Sequence, residues 1–138
     1  MASVLVLSHG QLANELVDAA SKIVPQLSEE LAALCLPWDL DPDEASLLLK
    51  SKIDALDKGE GVLIITDMFG GTATNLALSH LIPGEVEVIT GVNLPMLVKL
   101  GSLRTRDLEL NEVANLLTQA AQKSIRVASE LLHQSDPS

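Results

Sequence analysis

A histidine closes the first apolar run of the chain, Val4-Leu5-Val6-Leu7-Ser8-His9-Gly10. A second apolar run ends on an acid, Ile64-Ile65-Thr66-Asp67, and leads directly into Met68-Phe69-Gly70-Gly71-Thr72. An imidazole held through one ring nitrogen can act as a nucleophile through the other. Asp67 could accept the N–H of His9 and so fix its tautomer, or it could cap the turn that follows. An isolated carboxylate directly after a buried strand would be costly without a partner. Gly70 and Gly71 would let backbone approach a ligand, and a helix starting near Thr72 would aim N–H groups at an anion. Two glycines also mark an ordinary tight turn. Taken together, an imidazole nucleophile, an orienting carboxylate and an anion cradle describe a phosphohistidine site.

Four short apolar runs have the length of buried strands: Val4–Leu7, Leu31–Leu36, Val62–Ile65 and Val86–Ile89. Helical patterns separate them. Leu12, Leu16, Ala19 or Ala20, and Ile23 recur at intervals of about four, which predicts one face of a first helix. Asp41-Pro42-Asp43-Glu44 reads as the start of a second, with Asp41 as cap, Pro42 in the first position and Glu44 closing a capping box. Its expected apolar face is Ala45, Leu48, Leu49, Ile53 and Leu56, and Lys58-Gly59-Glu60-Gly61 stops it. After the fourth strand, Gly91-Val92-Asn93-Leu94-Pro95-Met96 forms a further loop, and Val113, Leu116, Leu117, Ala120 and Ala121 mark a later helical face. Ile125-Arg126-Val127 alternates as a strand would, although the helix could equally run on to Leu132.

Strands alternating with helices predict an α/β fold. The expected form is a doubly wound, mainly parallel sheet of four to five strands with helices on both faces. Ligands in such sheets bind at the carboxyl ends of the strands, where the winding reverses. His9 and Asp67 both stand at strand ends of that kind. Residues 1–134 are read as one domain and residues 135–138 as a flexible tail.

With 138 residues, 47% hydrophobic, 20% charged and a mean hydropathy of +0.30, the chain is globular and large enough for a conventional core. No apolar run approaches the roughly 18 residues of a membrane span. The N-terminus has no signal-peptide pattern, which points to the cytoplasm. A formal charge of −10 argues against nucleic acid and anionic lipid as partners. The single Cys35, in an apolar run, reads as a structural thiol. His80 and His133 read as structural too. Three separated histidines without neighbouring ligands predict no metal site, and no cofactor is expected.

Three segments carry a family resemblance: Val6-Leu7-Ser8-His9-Gly10, Thr66-Asp67-Met68-Phe69-Gly70-Gly71-Thr72-Ala73-Thr74-Asn75 and Gly91-Val92-Asn93-Leu94-Pro95-Met96-Leu97. In order and spacing they resemble the IIA component of the mannose-type sugar phosphotransferase system, nearly end to end. The resemblance implies that His9 carries a phosphoryl group on Nε2, with Asp67 on Nδ1. Gly10, Gly70, Gly71 and Thr72 would surround the phosphoryl group, Thr72 standing where the family usually has Ser. Met68, Phe69, Asn93 and Met96 would form the docking surface. Ala73 and Thr74 replace the Pro and Phe common in the family, a departure that bears on partner identity.

The implied donor is the small phosphocarrier HPr and the implied acceptor a IIB component. The family's members are usually homodimers that exchange a final strand, which would account for Ile125-Arg126-Val127. Two other readings stay open. His9 could be a sensor whose phosphorylation controls a regulatory protein, with the phosphoryl donor of dihydroxyacetone kinase as a related case. Alternatively, the chain could be a flavodoxin-like domain that binds a nucleotide or phosphorylated metabolite without covalent chemistry.

Overall fold

The computed structural model describes residues 1–134, so the expected tail at 135–138 lies outside the described residues. Four strands, β1 (Ser3–His9), β2 (Leu31–Leu36), β3 (Val62–Thr66) and β4 (Val86–Thr90), pair in parallel in the order β2-β1-β3-β4. The order turns one way from β1 to β2 and the other way from β1 to β3. That places the switch point, the usual ligand crevice, over the carboxyl ends of β1 and β3.

Alternation along the central strands sorts their side chains between two cores. Val4, Val6, Leu63 and Ile65 face α1 (Leu12–Ile23), α4 (Leu94–Leu103) and α5 (Leu110–Lys123). Leu5, Leu7, Val62 and Ile64 face α2 (Pro42–Leu56) and α3 (Thr72–Leu78). All eight are buried, each worth about 1.5–3 kcal/mol relative to exposure. His9 continues the Leu5-Leu7 row and therefore belongs to the α2/α3 side.

Helix faces differ in detail from the sequence pattern. In α1 the buried residues are Ala13 and Ala20, Leu16 and Val17 are half-buried, and Leu12 and Ile23 are exposed. Small residues lie underneath because α1 runs close against β2 and α4. In α2, Ala45, Leu49 and Ile53 are buried while Leu48 turns outward. The Asp41 carboxylate accepts the Asp43 and Glu44 N–H groups, at 3.1 and 3.2 Å, so Asp41 caps α2 without a return bond from Glu44.

The C-terminal segment is neither a strand nor a continued helix. Helix α5 ends at Lys123, residues 124–127 carry no regular structure, and α6 spans Ala128–Gln134. The stop is built at Ser124. Its hydroxyl donates to Ala121 O (2.6 Å), and Asn93 Nδ2 donates to the same hydroxyl (3.1 Å). Ile125 and Val127 remain exposed and pair with no strand among the described residues.

Candidate phosphoryl-transfer site

Register brings the chemistry together. Leu7 pairs with Thr66 across β1 and β3, so the residues just beyond, His9 and Asp67, face each other over the crevice. His9 Nδ1 lies 3.3 Å from Asp67 Oδ2, and the His9 backbone N–H donates to the same oxygen at 3.2 Å. The other carboxylate oxygen accepts the Met68 N–H at 2.9 Å. Held on both oxygens, the carboxylate selects the tautomer with hydrogen on Nδ1 and a lone pair on Nε2. No hydrogen bond occupies Nε2 among the described residues.

Each approach to the pair has a local cause. Ser8, fully buried, accepts the Ala13 N–H at 2.8 Å and donates to His9 O at 3.1 Å, which satisfies an N–H in the first turn of α1 and fixes the turn carrying His9. Gly10 has φ +58°, a left-handed conformation suited to glycine. Gly70 has φ +86° and turns the chain from Phe69 back toward α3. Gly71 precedes α3 beside His9, where a side-chain carbon would lie 3.6 Å from Cε1.

Thr74 has a structural role of its own. Its hydroxyl lies 2.6 Å from the Thr66 hydroxyl and also donates to Met68 O. Both threonines are buried. The polar pair ties α3 to the end of β3 and closes the 67–71 loop.

The other expected residues divide between surface and core. Met68 and Phe69 are exposed beside the site, at 61% and 75%. Thr72 and His9 line a common cavity of about 430 Å³ between the β2–α2 loop, α2 and α3. Met96, expected on the docking surface, is instead buried, because it lies on the face of α4 that packs into the core shared with α1 and α5. Asn93 is half-buried and structural in its contacts, accepting the Met96 N–H at 2.9 Å to cap α4. His80 lies just past α3, not within it, and its Nε2 is 3.1 Å from the Ser46 hydroxyl. Burial and the Lys50 ammonium hold its pKa below the ordinary 6.5 against a smaller opposing pull from Asp54.

One site residue has no counterpart in the sequence reading. The Trp38 indole stacks on the His9 imidazole, with ring centroids 4.9 Å apart and planes 12° from parallel. Its signal was the β1–β2 pairing. His9 sits opposite Leu36, so whatever follows Leu36 must open beside His9.

A four-stranded parallel sheet wound both ways, with its polar pair at the switch point, is a flavodoxin-like domain. Residues 3–118 match the family model EIIA-man, described as "PTS system fructose IIA component". The chain belongs to this family of phosphotransferase-system IIA components, and it is a phosphoryl carrier of a sugar phosphotransferase system. It is 30% identical over 135 residues to the "PTS system fructose-specific EIIA component" of Bacillus subtilis, covering 96% of this chain and 90% of that protein. It is 28% identical over 130 residues to the "PTS system mannose-specific EIIAB component" of Escherichia coli, covering 90% of this chain but spanning only 38% of that protein's length. Among solved structures, the PTS IIA protein associated with the fucose utilization operon of Streptococcus pneumoniae aligns with a TM-score of 0.79 and 31% identity. That alignment covers 96% of this chain and 99% of the other. No described helix is long and apolar enough to cross a membrane.

Proposed function

We propose that His9 is the phosphoryl acceptor, working between phospho-HPr and a IIB component in the cytoplasm. The observation that carries this reading is the 3.3 Å Nδ1–Asp67 contact, which leaves Nε2 without a hydrogen bond. In the forward step a P–Nε2 bond forms on His9 as the P–N bond of the donor phosphohistidine breaks. The donor nitrogen leaves with the electron pair. The proton on His9 Nδ1 stays there, and the Asp67 carboxylate stabilises the positive charge growing on the ring. Donor and acceptor are both imidazoles, so the bond made and the bond broken are alike and transfer runs in either direction. The N–H groups opening α3 and the Thr72 hydroxyl would hold the phosphoryl oxygens, with Gly10, Gly70 and Gly71 leaving room for them.

Met68 and Phe69 would meet the partner proteins beside the transferred group. A homodimer is part of the same reading. It is supported by the exposed Ile125 and Val127 and by β4, whose one neighbouring strand among the described residues is β3, apart from a single bridge between Val86 and Ile82.

The test is phosphoenolpyruvate-driven transfer through enzyme I and HPr, followed by addition of IIB proteins. The expected result is one acid-labile phosphoryl group per chain that leaves when a cognate IIB is added. Label that never chases to any IIB would favour a regulatory role instead.

A further inference from the structure

We infer that Trp38 is a positioning residue for His9, an inference that rests on the reading of His9 as phosphoryl acceptor. The Asp67 contact alone is a weak constraint on the ring. Its 3.3 Å is long beside the roughly 2.7–2.9 Å of a firm charge-assisted bond, and a single bond at Nδ1 leaves the imidazole free to tilt about it. The indole supplies what that bond lacks. Nearly parallel rings at 4.9 Å fix the plane of the imidazole, and hence the direction of the Nε2 lone pair.

The backbone that carries Trp38 is fixed beside His9. Leu40 N–H donates to Pro37 O at 3.2 Å, closing a turn with Trp38 and Asp39 at its centre. Gly10 N–H donates to Leu36 O at 3.0 Å, tying the ends of β1 and β2 together beneath that turn. The indole also lies over Gly10, whose α-carbon position faces Trp38 Nε1 at contact distance: a carbon added there would be 3.4 Å away. Trp38 is 81% exposed while the His9 side chain is only 17% exposed. The indole therefore contributes little to the core, and its main ordered contact is the ring it covers. It also forms one wall of the cavity shared by His9 and Thr72.

The test compares the wild type with Trp38→Ala and Trp38→Phe, using phospho-HPr as donor and following His9 by NMR. Trp38→Ala should lower kcat for phosphoryl acceptance about three- to tenfold with KM for the donor little changed, and Trp38→Phe should restore most of it. The carbon-bound ring protons of His9, shielded by the stacked indole, should move downfield in Trp38→Ala and much less in Trp38→Phe. Trp38 is the chain's single tryptophan, so its emission should change when the protein is phosphorylated. Unmoved His9 resonances in Trp38→Ala, an unchanged kcat, or an effect confined to KM would each overturn the inference. Failure of the underlying reading looks different: the wild type would take up no phosphoryl group. That result would end the positioning role as well, while the His9 resonances would still report whether the rings stack.

Discussion

Asp67 meets His9 twice through one oxygen, at the ring Nδ1 (3.3 Å) and at the backbone N–H (3.2 Å). The backbone bond sets where the carboxylate sits relative to β1, and the ring bond then follows from that placement. Asp67→Ala removes both, together with the charge opposite the ring. Phosphoryl transfer to His9 should slow by about 10²-fold in both directions, the scale of losing one preorganised electrostatic partner. Rapid-quench rates from phospho-HPr and to IIB check this. Loss in one direction alone would contradict it, because the same charge grows on the ring either way.

Thr74→Val deletes one hydroxyl from a buried pair and leaves that of Thr66 without its partner. Stability to urea should fall by about 1–3 kcal/mol, and Thr74→Ser should recover part of it. The 67–71 loop should also open, since Thr74 loses its bond to Met68 O. Faster amide exchange over those residues is the observable.

Gly10→Ala places a side chain at φ +58°, which costs about 1–2 kcal/mol, and puts a methyl against the indole. Thermal unfolding should occur at lower temperature. Emission from Trp38 should change little, because the added carbon would meet the indole at 3.4–3.8 Å, ordinary van der Waals contact.

His80 makes stability depend on pH. Its folded pKa lies below the ordinary 6.5, because burial and Lys50 disfavour the imidazolium. The unfolded chain therefore binds the proton first. This contribution is fully present above about pH 6.5 and is lost as pH falls toward and through the folded value. In His80→Gln that part of the acid-side slope should vanish. A slope unchanged by the substitution would show that other groups produce it.

Much of the fold was legible because the physics that set it is local. The four strands are short apolar runs with clear stops, and a parallel sheet follows from their alternation with helices. The His9–Asp67 pairing was legible for a related reason, since both residues end strands that lie side by side at the switch point. Contacts set by tertiary placement were not. Met96 shares a motif with Asn93 yet points into the core, because helical geometry turns it inward. Trp38 carries no local signature, and only the pairing of His9 with Leu36 brings it onto the imidazole. Ile125-Arg126-Val127 alternates like a strand, but Ser124 ends the preceding helix and no described strand lies beside it.

The proposed transfer depends on the phosphoryl group residing on His9. The most direct measurement phosphorylates the wild type and His9→Ala with phosphoenolpyruvate, enzyme I and HPr, then maps the modified residue by mass spectrometry under alkaline conditions. The wild type should carry one acid-labile phosphoryl group on His9, and His9→Ala should carry none. Acid-labile phosphate on His9→Ala, or on His80 or His133 of the wild type, would show that another residue is the acceptor.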